Sequence, residues 1–136
     1  MARMQDWEIV HIKHLRKQEN SPIFNASSEF SDFVPNFEPR AGEIVITKNL
    51  YSCYSANDFL TFMEKHHQNN IDLIGYNSIM YCLSTVIEGI IWDHKMTLIE
   101  DASFVKSTSE FDEVDMHRHR INPIKAARYA EISGCF

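Results

Sequence analysis

The sequence predicts an α/β protein built as a three-layer, doubly wound and mainly parallel sheet. Three observations predict it. Short β-branched runs recur along the chain, amphipathic stretches of helical period stand between them, and no repeat or low-complexity tract breaks the alternation. Strands separated by helices of roughly 10–15 residues make βαβ units, and such units close into parallel pairs with helices on the sheet faces.

The chain begins with WEIVHI (Trp7–Ile12), which reads as a short strand, and the Ser-, Pro- and Asn-rich run from Lys17 to Gly42 reads as a long surface excursion. EIVITK (Glu43–Lys48) is apolar and β-branched enough for a buried strand, with Gly42 supplying the turn before it. Phe59, Phe62, Met63 and His66 then recur at helical spacing, and Ser55 with Asp58 predicts a capping-box start. IDLIG (Ile71–Gly75) gives a third strand, followed by a helix carrying Met80, Leu83, Ile87, Ile90 and Ile91. KMTLIEDA (Lys95–Ala102) gives a fourth strand. Asn122-Pro123 starts a last helix to about Ala130, and EISGCF closes as an edge strand.

Composition excludes several functions. With 136 residues, 44% of them hydrophobic, the chain suits one domain spanning 1–136. A formal charge of −6 argues against nucleic acid as a partner, because phosphate binders neutralise their target with Lys and Arg. No apolar run reaches the ~20 residues of a membrane span and no leader opens the chain, so a cytoplasmic protein without membrane contact is expected. The cysteines Cys53, Cys82 and Cys135 are widely spaced and form no CxxC pair, which predicts reduced thiols.

In doubly wound sheets ligands bind beyond the carboxyl ends of the strands. Lys48, the residues after Gly75 and those around Asp101 are therefore expected at one rim. Lys48 could hold an anion or lower a thiol's pKa there, and Asp101 could orient a partner or cap a turn. Gly75, Asn77 and Ser78 lead into Cys82, a junction with the anatomy of a nucleophile elbow. A thiol at a helix start feels the macrodipole and free N–H groups, which lower its pKa and build an oxyanion site. No metal site is expected: His117 and His119, two apart in MHRHR, point to different helix faces, and the flanking arginines repel a cation.

Nearly the whole chain, from WEIVHIKH through GEIVITK, IDLIGYNS and TVIEG to TLIEDAS, resembles the isochorismatase-like cysteine hydrolases. The resemblance implies a Rossmann-like fold, no cofactor, and an Asp-Lys-Cys triad in which Lys48 takes the lysine position. It also locates the nucleophile six residues after the glycine of a G-x-x-T element and four before the threonine of a T-A pair. Gly75 and Thr85 both then point to Tyr81, and Cys82 falls one residue late. A shift of one helical residue turns a side chain by about 100°, so the Cys82 thiol is expected in packing, and a phenol is a poor nucleophile in its place.

The strand that carries the family's triad aspartate has no counterpart before ARMQDWEIVHI, and its loss would leave two interior strand edges unpaired. The expectation is therefore an N-terminally truncated, degenerate hydrolase-like protein that is inactive as it stands. The alternatives are an active cysteine hydrolase of a small amide or related substrate, using Cys82 with Lys48, or a non-catalytic oligomerisation module. A homo-oligomer is expected in either case.

Overall fold

The β-branched runs settle the first pairing. β1 (Val10–His14) and β2 (Ile44–Lys48) form a two-stranded parallel sheet, in register from Val10 opposite Ile44 to His14 opposite Lys48. The computed structural model describes residues 2–28, 31–110, 112–117 and 119, with the backbone of 131–133. They belong to two compact units, Met1–Phe59 and Leu60–Phe136.

In the first unit the strand expected at Trp7–Ile12 runs later, because the ladder to β2 begins at Val10 and leaves Trp7 half-exposed ahead of it. Glu43, just before β2, ties the N-terminal turn at Ala2–Met4 to the sheet. Its carboxylate accepts Arg3 Nε at 2.7 Å, Arg3 Nη2 at 2.8 Å and the Arg40 N–H at 2.8 Å, and lies 2.7 Å from His11 Nε2. Such charge-assisted bonds favour the ionised form, and Arg3 first, then the Arg40 N–H, hold this carboxyl far below the usual range.

The excursion between β1 and β2 is irregular but anchored. The Arg16 N–H donates to the Phe24 carbonyl at 2.8 Å, and the Phe24 ring meets the His14 edge at 4.6 Å. The capping box expected at Ser55 is not the helix start. Ser55 belongs to a 3-10 turn, Cys53–Ser55, whose cap is Ser52, its Oγ accepting from the Tyr54 N–H at 3.2 Å. Helix α1 follows at Asn57–Lys65 with Asp58 in its first turn, where a negative charge suits the helix dipole. Tyr54 and Phe59 meet edge to face at 5.0 Å and are buried with Cys53 and Ile46.

In the second unit β3 (Asn70–Tyr76), β4 (Lys95–Phe104) and β5 (Glu131–Ser133) form a parallel sheet in that order. Helix α2 (Leu83–Ile91) packs on β4, completing the strand–helix–strand unit that the sequence predicts. Leu98, Val86 and Thr85 are almost fully buried, and burying an aliphatic side chain of this size contributes about 1.5–3 kcal/mol. The fourth strand does not end at Asp101-Ala102. Leu73 pairs with Leu98 but Gly75 pairs with Ser103, so β4 bulges around Glu100–Ala102 and continues to Phe104. Asp101 is thus an exposed bulge residue rather than a strand terminus. The helix expected from Pro123 to Ala130 lies outside the described residues. These parallel sheets with flanking helices make the chain an α/β protein, and no helix among the described residues is long and apolar enough to cross a membrane.

Candidate functional site

Lys48 ends β2 and is 4% exposed. A buried ammonium needs partners for its three N–H donors, and the loop after the strand supplies them. Nζ donates to the Leu50 carbonyl at 2.8 Å and to the Tyr51 carbonyl, and lies 3.4 Å from His14 Nδ1. The same burial, with the Lys48 charge second, lowers the His14 pKa below its ordinary 6.5. Lys48 therefore acts within its own unit as a clamp on the loop that follows its strand.

In the second unit the junction after β3 is a π turn, Ser78–Cys82. The Tyr81 N–H donates to the Asn77 carbonyl at 2.9 Å and the Cys82 N–H to the same oxygen at 3.1 Å, so this turn holds one residue more than an α turn. Asn77 also caps it, its Oδ1 accepting from the Ile79 and Met80 N–H groups, each at 3.1 Å. Two of the amides that a helix start could offer an anion, those of Ile79 and Met80, are thus already engaged by the Asn77 side chain.

The extra residue sets the phase of α2. Cys82, Thr85, Val86 and Gly89 stand at helical spacing and are all buried, Cys82 being 5% exposed. Its thiol therefore lies on the buried face of α2. Tyr81 is half-buried, and its carbonyl accepts from Thr85 Oγ1 at 2.8 Å.

Gly75 and Ser78 reach a feature that the sequence does not announce. A pocket of about 220 Å³ at the carboxyl end of β4 is lined by Glu100, Ser103, Phe104, Val105, Glu113, Val114 and His117. Gly75, at φ 138°, a region that disfavours residues with a Cβ, donates its N–H to Ser103 Oγ at 3.2 Å. Fully buried Ser78 is hydrogen-bonded to His117 Nδ1 at 2.8 Å. His117 Nε2 is shut off from solvent and has no partner among the described residues, a condition that costs about 1–3 kcal/mol. Asp101 does not line this pocket; Glu100 and Ser103 form the wall there. His117 could be found in the sequence only as part of MHRHR, where nothing marks Ser78 as its partner. Among the described residues no three His, Cys, Asp or Glu side chains gather as a metal set.

A parallel α/β arrangement with a turn of this kind between a strand's carboxyl end and a helix defines a class of proteins whose chemistry sits at that junction. The isochorismatase domain model matches residues 1–133, and the chain belongs to that family. It is 24% identical over 94 residues to a secreted isochorismatase effector of Verticillium dahliae, covering 69% of this chain and 49% of that protein. The chain thus spans about half the length of this relative. Among solved structures, an isochorismatase from Pseudomonas putida superposes with TM-score 0.77 at 24% identity, over 98% of this chain and 69% of that one. A cysteine hydrolase from Pseudomonas syringae superposes with TM-score 0.83 at 16% identity, over 98% and 70% respectively. At these identities the likeness is one of fold.

Proposed function

We propose that this hydrolase-like member of the isochorismatase family is degenerate and catalytically inactive as it stands. The observation that carries the reading is the place of Cys82 in the buried stripe of α2, with Tyr81 at the position that the resemblance gives to the nucleophile. Two further findings support it. The Ile79 and Met80 amides of the turn are held by the Asn77 side chain, and Lys48 Nζ is engaged by Leu50, Tyr51 and His14. A thiol buried in packing is shielded from substrates and reagents.

The experiment is iodoacetamide labelling of each cysteine at pH 7, in the folded and in the denatured protein. Cys82 is expected to label in the folded protein far more slowly than in the denatured chain. Fast, selective labelling of folded Cys82 would overturn the reading and favour an active cysteine hydrolase of a small amide or related substrate.

A second reading concerns assembly. Ile87, Ile90, Ile91 and Trp92 are exposed together along and just beyond α2, and an apolar stripe of this kind supports a homo-oligomer. Sedimentation at micromolar concentration tests it: a monomer at every concentration excludes it. Cys53 and Cys82 are buried thiols outside any disulfide, which supports a reducing, cytoplasmic setting for this chain.

A further inference from the structure

We propose that the surface loop Arg16–Phe24 is a gate over the His14–Lys48 pair, latched by the Phe24 ring and able to open while the rest of the first unit stays folded. The ladder between β1 and β2 ends where the Leu15 N–H donates to the Lys48 carbonyl at 2.9 Å, and the chain leaves the sheet at the next residue. It then closes on itself. The Arg16 N–H donates to the Phe24 carbonyl at 2.8 Å, the Ser21 N–H to the Gln18 carbonyl at 3.2 Å, Ser21 Oγ to the Ile23 carbonyl at 2.7 Å and Asn25 Nδ2 to the Glu19 carbonyl at 2.8 Å. A loop whose ends meet and whose turns are bonded internally keeps its shape without the sheet, so it can lift as one piece.

Residues 16–20, 22 and 23 are exposed, whereas Ser21 is buried and Phe24 is half-buried. The Phe24 ring meets the His14 ring edge to face at 4.6 Å, and His14 Nδ1 lies 3.4 Å from Lys48 Nζ. Three side chains thus stand in series from the loop to the ammonium. Phe24 holds its place at φ 56°, a left-handed backbone that a bulky residue adopts only at a cost. Strain of this kind persists where surrounding contacts impose it, and it favours release once the ring leaves His14. On the other side of the ammonium, the Leu50 and Tyr51 carbonyls hold Nζ while the side chains of both residues are exposed. Cover on the β1 side is supplied by His14 and Phe24, and with it Lys48 is buried. The inference goes beyond the question of catalysis: the gate controls access of solvent and small reagents to the Lys48 amine and the His14 imidazole, whatever Tyr81 and Cys82 do.

The test is residue-resolved acetylation of the whole chain by N-hydroxysuccinimidyl acetate at mildly alkaline pH, read by peptide mass spectrometry. Iodoacetamide labelling of Cys53, buried in the same unit, monitors unfolding. A gate opens without exposing the core, so in the unmodified chain Lys48 acetylation is expected to respond to low urea much less steeply than Cys53 labelling. Phe24→Gly removes the ring and accepts the left-handed backbone freely. It is expected to speed Lys48 acetylation severalfold while Cys53 labelling and acetylation of exposed Lys95 stay unchanged. Phe24→Tyr keeps the ring and is expected to leave the Lys48 rate as it was. Equal urea dependence of Lys48 and Cys53, measured without any variant, overturns the proposal. So does a Lys48 rate unmoved by Phe24→Gly, or one that rises only together with Cys53 labelling.

Discussion

His14 and Lys48 are register partners at the carboxyl ends of β1 and β2, and the Lys48 ammonium lies 3.4 Å from His14 Nδ1. This fixes the preferred protonation state of the imidazole. A neutral ring accepts a hydrogen bond from the ammonium, whereas a protonated ring would set two cations against each other in a buried place. The folded pKa of His14 is accordingly lowered, by burial first and the Lys48 charge second.

That direction sets the pH dependence. Above the unfolded value of 6.5 both states carry a neutral ring, and His14 adds no pH dependence. As pH falls through 6.5 the unfolded chain takes up a proton that the folded chain resists, so stability drops until the folded pKa is passed. NMR titration of His14 should give a midpoint below 6.5. A midpoint at or above 6.5 would contradict the arrangement.

Lys48→Met should destabilise the first unit by about 1–3 kcal/mol, because the Leu50 and Tyr51 carbonyls lose their charged donor. Part of the loss is offset by no longer burying an ammonium. Urea unfolding measures the balance, and an unchanged midpoint would show that the clamp contributes no stability. Lys48→Arg should not restore it, since a planar guanidinium cannot direct its donors to the positions held by a compact ammonium.

Asn77→Ala should cost about 0.5–2 kcal/mol, the range for losing a side-chain cap, because it frees the Ile79 and Met80 N–H groups together. Asn77→Asp should retain most of the stability. Equal losses in the two variants would show that the side-chain oxygen is not the element that matters.

What the sequence reveals here depends on whether the deciding interactions are local. The existence of α2 is local, but its phase is not: Met80, Ile87, Ile90 and Ile91, whose spacing predicts the helix, are exposed, and the buried face is Cys82, Thr85, Val86 and Gly89. The π turn is not legible, because it differs from an α turn by one shifted hydrogen bond and leaves no mark on composition. The bulge in β4 is also hidden. Glu100-Asp101 reads as a charged strand end, and only the pairing of Gly75 with Ser103 carries the strand past it. The contacts of His14 with Lys48 and of Ser78 with His117 join residues far apart in sequence, so no periodicity reports them. The family pattern identified Lys48 and Tyr81 as positions of interest, but the pocket at Glu100 and His117 required the packed chain.

Tyr81→Cys should not create an amidase. The substitution puts a second thiol beside Cys82 at a half-buried position of the π turn, where the backbone contacts of residue 81 are kept: its N–H to Asn77 and its carbonyl to Thr85. A thiol becomes a nucleophile only when a base or cation favours its thiolate, and an acyl transfer also needs donors for the oxyanion. Here the Ile79 and Met80 amides are held by Asn77, and the Lys48 ammonium is held by Leu50, Tyr51 and His14. Hydrolysis of small primary amides by Tyr81→Cys should stay at the uncatalysed rate, measured as ammonia release against the unmodified chain. Turnover that iodoacetamide abolishes would show that activation groups are available after all, and that Tyr81 alone had silenced the site.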